Sequence, residues 1–249
     1  MNNLVIPFRG NMGVQTTPPF TNTYSLNFDG VDDKIEIGTQ SLGITGAISV
    51  SAWVKIPISG TWGSPYLEVI FAEDSSVSRN FNLYFRPPPF FNTFNFDVYH
   101  TNGTKTSLIS TGVTPNDNQW HNLLATFDGT TNTNSVKLYV DGVLNVQATA
   151  VSTGVQSIPA VIPTIGSLSN GNNWFFEGNI DEVSIFNTAI SIGDVWDGSG
   201  QPTDLSLLAT PPINYYRFEE GSGTTAIDSG SGGNNGTLIN GPTYSTDVP

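Results

Sequence analysis

Cysteine is absent, so neither a disulfide nor a thiolate-held metal can contribute to the fold. That absence leaves the redox compartment open. Basic residues are also scarce, with 8 Lys and Arg against 21 Asp and Glu, a formal net charge of -13 over 249 residues. Such a field repels phosphate backbones and anionic lipid, so neither nucleic acid nor a membrane surface is an expected partner. It suits cations, neutral ligands such as sugars, and solubility. No apolar run approaches the roughly 18 residues of a membrane-crossing helix. Met1–Gly10 has no basic stretch leading into an apolar one, so a cleaved leader is not expected. Helix formers are few, and Gly, Pro, Asn, Thr and Ser are abundant, which predicts short strands joined by turns.

Catalytic signatures are missing too. No G-x-S-x-G, H-E-x-x-H or phosphate-binding glycine motif occurs. Glu219-Glu220 and Asp181-Glu182 are adjacent pairs whose members point to opposite faces of a strand, so neither could flank a glycosidic bond. A non-enzyme is expected. His121 has no partner at a catalytic spacing and reads as a structural, hydrogen-bonded histidine.

What is present is two-residue alternation. Gly178–Phe186 reads as a strand with Asp181, Val183 and Ile185 on one face and Ile180, Glu182 and Phe186 on the other. A carboxylate beside two β-branched residues needs hydrogen-bond donors or a cation, or else an edge position open to water. Ala47–Ile56 is the clearest strand, with Trp53 packed in the fold. Tyr24, Leu26 and Phe28 alternate into an Asp29-Gly30 turn, and Lys34–Ile37 resumes beyond it. Asp29, Asp32 and Asp33 crowd that turn, as a solvated acidic loop or as a cation site. Further strands are Tyr66–Phe71, Phe81–Phe85, Phe94–Thr101 and Thr104–Ile109, with turns at Asn102-Gly103 and Asp141-Gly142. Phe90 and Phe91 follow a Pro run and read as a lid on the core, with an exposed patch as the competing reading. Trp62 and Trp174, with Asn172 and Asn173 beside the latter, are loop residues of the kind that stack on and hydrogen-bond sugar rings; ordinary loop anchoring is the competing reading.

Five short motifs in order carry a family likeness: Phe28-Asp29-Gly30-Val31-Asp32-Asp33, Val50-Ser51-Ala52-Trp53-Val54, Trp120-His121, Leu138-Tyr139-Val140-Asp141-Gly142 and Gly178-Asn179-Ile180-Asp181-Glu182-Val183. Over Tyr24–Val195 the chain resembles the laminin G-like members of the concanavalin A-like lectin/glucanase superfamily. The resemblance implies an all-β jelly-roll sandwich of two antiparallel sheets, with one short helix near Thr188–Trp196. It also implies a structural Ca²⁺ held by Asp29, Gly30, Asp32 and Asp181. Members of that family mostly bind glycans or proteins. The expected organisation is an arm at 1–23, the jelly roll at 24–196, a linker at 197–212, and a strand and tail at 213–249 that complete the sandwich. Tyr216-Arg217-Phe218, Asp228-Ser229-Gly230 and Gly236-Thr237-Leu238 resemble segments beside such domains in bacteriophage virion proteins. That likeness implies a decoration protein of a virion surface. Its partners would be other assembly proteins met through the terminal segments, with glycans and a second copy of the chain as further candidates. The alternative is a calcium-dependent carbohydrate-binding module of a secreted or cell-surface system.

Overall fold

In Arg79–Arg86 (β5), Phe81, Leu83 and Phe85 enter the core; in Thr93–Tyr99 (β6), Phe94, Phe96 and Val98 do the same. Asn82, Tyr84, Asn95 and Asp97 are thereby left on the opposite side of that sheet. The computed structural model describes residues 20–60, 67–75, 77–89, 91–169 and 174–249. All its strand pairs are antiparallel, and they build two eight-stranded sheets. One sheet runs, in spatial order, β10 (Val143–Ala148), β9 (Val136–Val140), β8 (Trp120–Phe127), β3 (Ile48–Lys55), β12 (Glu177–Phe186), β1 (Ser25–Asp29) and β16 (Thr243–Ser245). Beyond the end of β1, β13 (Asn214–Tyr216) pairs with the second half of β12. The other runs β14 (Thr225–Ala226), β15 (Gly236–Ile239), β2 (Lys34–Ile37), β11 (Thr164–Ile165), β4 (Glu68–Asp74), β5, β6 and β7 (Lys105–Ile109). One apolar core, from Val50 and Val54 across to Phe71, Phe81 and Phe96, lies between them. This is the all-β sandwich of two antiparallel sheets that the family resemblance implied.

The helix is shorter than expected. Of the expected Thr188–Trp196 only Ile192–Val195 (α1) is helical, entered with the Ser191 N–H donating to the Asp194 carboxylate at 2.8 Å. Thr188 and Ile190 are committed elsewhere, through their backbone hydrogen bonds to the Ser49 hydroxyl. A second small cluster of Leu124, Phe186, Val195, Leu205 and Tyr215 fixes this segment on the outer side of the first sheet.

Strand β12 departs from simple alternation. Its pairing with β3 shifts between Asp181 and Ser184, and Glu182 takes φ 49°. The extra residue of this bulge reverses the faces beyond it. Ile180, Val183 and Ile185 therefore all reach the core, while Asp181 and Ser184, opposite Trp53 and Ser51, face outward. The expected grouping of Asp181 with Val183 and Ile185 is corrected accordingly. Phe90 lies outside the described residues; Phe91 is exposed, with the Arg86 guanidinium 3.2 Å from its ring centroid, so no lid is formed by it.

Gly178 holds the start of β12 against β3 at φ 135°, where an added Cβ would lie 2.3 Å from the Lys55 carbonyl oxygen. Both backbone and contact exclude a side chain. Gly178→Ala is expected to lower stability by about 2–3 kcal/mol, read as a fall in denaturation midpoint at constant slope. A variant melting with the wild type would contradict this account of the β12 entry.

Candidate functional site

The outer face of β4–β7 is lined by side chains that a merely solvated face does not need. Asp74, Asn82, Asp97, Tyr84 and Tyr99 stand on it, all buried, with Arg79, Arg86 and Lys105 among them. The Asn82 amide donates to Asp74 at 2.9 Å. Lys105 bridges to Asp97 at 2.8 Å, and the Arg79 guanidinium donates to the Tyr99 hydroxyl at 2.6 Å. Both cations also lie near the Tyr99 ring, 5.5 and 5.7 Å from its centroid. Burial pushes the Tyr84 and Tyr99 hydroxyls up, so both stay protonated donors. Asn82 and Asp97 face each other in register, 3% and 4% exposed, and each keeps one side-chain oxygen without a partner among the described residues. The Tyr84 hydroxyl lies close enough to Asp97 to raise its own pKa, and a buried acceptor without a donor costs about 1–3 kcal/mol, so these two oxygens stand open to a donor from water or from a ligand.

Trp174 borders this face. Its carbonyl accepts from Val69 N at 3.0 Å, and its ring packs with Leu67 on Val69, Ala72 and Leu168. Trp62, Asn172 and Asn173 lie outside the described residues. The sequence reading missed Asp74, Asn82, Asp97, Tyr84, Tyr99 and Lys105. Their alternation with core phenylalanines is visible, but nothing in it separates a buried polar face from a wet one.

The acidic turn is also formed. One ligand oxygen each of Asp29, Asp32 and Asp33 fall within 4.8 Å of one another. Asp29 accepts from Val31 N at 2.8 Å and Asp33 from Asp29 N at 3.0 Å, a local frame that holds the carboxylates together. Burial, with the Asp29 and Asp32 charges beside it, raises the Asp33 carboxyl to about 6. Gly30, at φ 75°, donates its N–H to the Phe176 carbonyl at 3.0 Å. Three carboxylates drawn together suit a hard divalent cation.

Asp181 does not join them. Asp29 pairs with Glu177, and Asp181 lies four residues further along β12, roughly 13 Å away at strand spacing. It is fully buried and satisfied by donors instead, from Asn22 Nδ2 at 2.9 Å and Glu182 N at 2.8 Å. Burial and the neighbouring Glu182 charge hold it well above the usual carboxylate range. Glu182 itself is pushed up to about 7 by burial, against the opposing pull of the Tyr215 hydroxyl and Arg217. Arg217 lies over the Phe20 ring, so this buried pair anchors the start of the described chain. His121 is a structural residue, hydrogen-bonded to Asp141 at 2.7 Å and Asp117 at 3.2 Å.

Comparison with known proteins agrees with this architecture. A family profile described as the concanavalin A-like lectin/glucanases superfamily, of the laminin G type, matches residues 29–195. No curated protein matches in sequence. Among solved structures, the chain is similar to a Bacteroides ovatus protein provisionally described as a carbohydrate binding protein (16% identity, TM-score 0.63). That likeness covers 91% of this chain but only 60% of the other. It is similar also to a heptameric SAP-like pentraxin from Limulus polyphemus (14% identity, TM-score 0.60), over 90% of this chain and 95% of that one. At such identities the structures speak for the fold alone. The match over residues 29–195 goes further, and the chain belongs to the concanavalin A-like lectin/glucanase superfamily.

Proposed function

We propose that this chain is a non-enzymatic glycan-binding module whose ligand lies on the outer face of β4–β7. The observation that carries the reading is the pair of neighbouring acceptors, Asn82 Oδ1 and Asp97 Oδ1, that lack a donor among the described residues. A sugar hydroxyl supplies that donor. The carbohydrate-binding description of the Bacteroides ovatus relative supports the same ligand class. Trp174 offers the apolar surface beside the polar row, and Asn172, Asn173 and Trp62 remain candidates from the sequence alone, outside the described residues. Asp74 and Asp97 flank Asn82 but are each engaged by a basic side chain, at 3.8 Å from Arg79 and 2.8 Å from Lys105. Such a pair positions a ligand rather than transferring a proton to it. Asp97→Ala or Trp174→Ala should weaken binding on a glycan array by about tenfold or more, the equivalent of one lost hydrogen-bonded or stacked contact. No reducing ends should be released. Undiminished binding by both variants, or hydrolysis abolished by Asp97→Asn, would overturn the reading.

Display on a virion surface rather than in a secreted system is favoured by the Tyr216-Arg217-Phe218 to Gly236-Thr237-Leu238 phrase of the C-terminal segment. Mass spectrometry of purified particles tests it, and absence of the chain from them would remove it.

Calcium belongs to the same proposal, held by Asp29, Asp32 and Asp33, with the Gly30 turn beside them and Asp181 excluded. Its effect would be structural, clamping the β1–β2 turn. Saturating Ca²⁺, about 100 times Kd, should stabilise the fold by about 2.7 kcal/mol, or roughly 5–10 °C in melting temperature. Asp33→Asn should abolish that rise and Asp181→Asn should not. A melting curve indifferent to Ca²⁺ and chelator would remove the site.

A further inference from the structure

We infer that the cavity between the 42–46 loop and the C-terminal segment is a second binding site, for a neutral polyhydroxylated small molecule such as a monosaccharide. Its volume is about 420 Å³, inside the roughly 300–1,000 Å³ range of ligand pockets. One wall is the 42–46 loop together with Asn187; the other is Ile213, Asn214, Gly232 and Asn234. This second wall lies outside the residues that match the superfamily. It shares no lining residue with the outer face of β4–β7.

Three features set the ligand class. First, none of the ten lining residues is titratable, in a chain with 21 acidic groups. An ionic ligand would find no counter-charge there. Second, three amide side chains converge on the cavity, from Asn187, Asn214 and Asn234. Those of Asn187 and Asn234 make no hydrogen bond among the described residues, while Asn214 is fully buried and held by donation to Asp228 at 2.7 Å. An amide offers a donor and an acceptor together, which matches adjacent hydroxyls, each both donor and acceptor. Third, Leu42, Ile44 and Ile213 give the cavity an apolar side for the C–H face of a sugar ring. No aromatic platform lines it among the described residues, so affinity should be modest.

The cavity is built by the backbone. Gly232 donates its N–H to the Ile213 carbonyl at 2.6 Å, and an added Cβ would lie 2.6 Å from that same oxygen. A glycine is what lets the C-terminal segment close the wall. Gly46, on the opposite wall, has nothing within 4 Å of an added Cβ and no left-handed φ. A large side chain there would fill the space without straining the chain.

The test is shift mapping of the ¹⁵N-labelled full chain with glucose, galactose, mannose and N-acetylglucosamine, and with glucuronate as the charged probe. Saturable shifts are expected at Gly43, Gly46 and Gly232 and at the side-chain amides of Asn187 and Asn234 for at least one neutral sugar. Gly46→Phe should abolish them. Asn187→Ala and Asn234→Ala should weaken them by about tenfold each, and these serve if Gly46→Phe fails to fold. Asp97→Ala, on the outer face, should leave them unchanged, so failure here and failure there are distinguishable. No shift with any neutral sugar, an equal shift with glucuronate, or shifts that persist in a folded Gly46→Phe would each overturn the inference.

Discussion

Removal of Ile213–Pro249 should leave a chain that does not fold, rather than a trimmed domain. Four strands come from this segment and they serve both sheets. Strand β16 covers β1 through the pairs Ser25–Ser245, Leu26–Tyr244 and Asn27–Thr243; β15 covers β2 from Lys34 to Ile37. Without them two edges stand open, each a template for association with another chain. The core loses side chains as well, since Tyr216, Phe218 and Leu238 belong to the main cluster and Tyr215 to the smaller one. At about 1.5–3 kcal/mol for each large side chain, the loss approaches or exceeds the whole 5–15 kcal/mol stability of an ordinary domain. Polar locks disappear with them. Asp228 accepts from Tyr215 N at 2.8 Å and Asn234 N at 2.8 Å. Asp247 holds Lys55 at 2.6 Å and Trp120 Nε1 at 3.0 Å. The truncated chain should be insoluble, or soluble without a cooperative melt. A soluble monomer melting at the wild-type temperature would sink the idea.

The same segment shows where sequence reading succeeds and where it stops. Tyr215–Glu219 reads as a strand beside the opening strand, yet β13 is only Asn214–Tyr216 and lies against β12. The neighbour of β1 is Thr243–Ser245, whose short, polar pattern carries no strand signal of its own. Long alternating runs were legible because burial on one face imposes a period of two, as in β3 and β8. The bulge at Glu182 was not legible, because a single left-handed residue changes the faces without changing composition. It is also why Asp181 looked like a core-facing carboxylate seeking a cation, when Asn22 and a backbone N–H already satisfy it. The acidic turn was visible from spacing alone. The outer face of β4–β7 was hidden for another reason, since only packing distinguishes buried Asn82 and Asp97 from wet ones.

Stability should fall as pH rises, and Glu68 should account for much of the fall. This carboxyl opens β4 fully buried, with Oε2 accepting from Glu177 N at 3.0 Å and Oε1 without a partner among the described residues. Burial, reinforced by the nearby Glu177 charge, raises it to about 8. Glu73, at the other end of the strand, is raised by burial too. A carboxyl raised on folding binds its proton more tightly in the native state, so its contribution is complete below the unfolded value, ~4.5 for a glutamate. The contribution is lost as pH climbs through about 8, where native Glu68 must ionise without a cation. For Glu68 alone the loss is on the order of 5 kcal/mol, about 10–20 °C in a protein of this size. Glu68→Gln keeps the acceptor for Glu177 N and cannot ionise. It should therefore melt close to the wild type near pH 4.5 and well above it at pH 9. Glu182, raised to about 7, leaves a residual slope in the variant. Melting curves across pH 4.5–9 decide the matter, and a wild type whose slope survives unchanged in Glu68→Gln would show that this carboxyl is not buried as described.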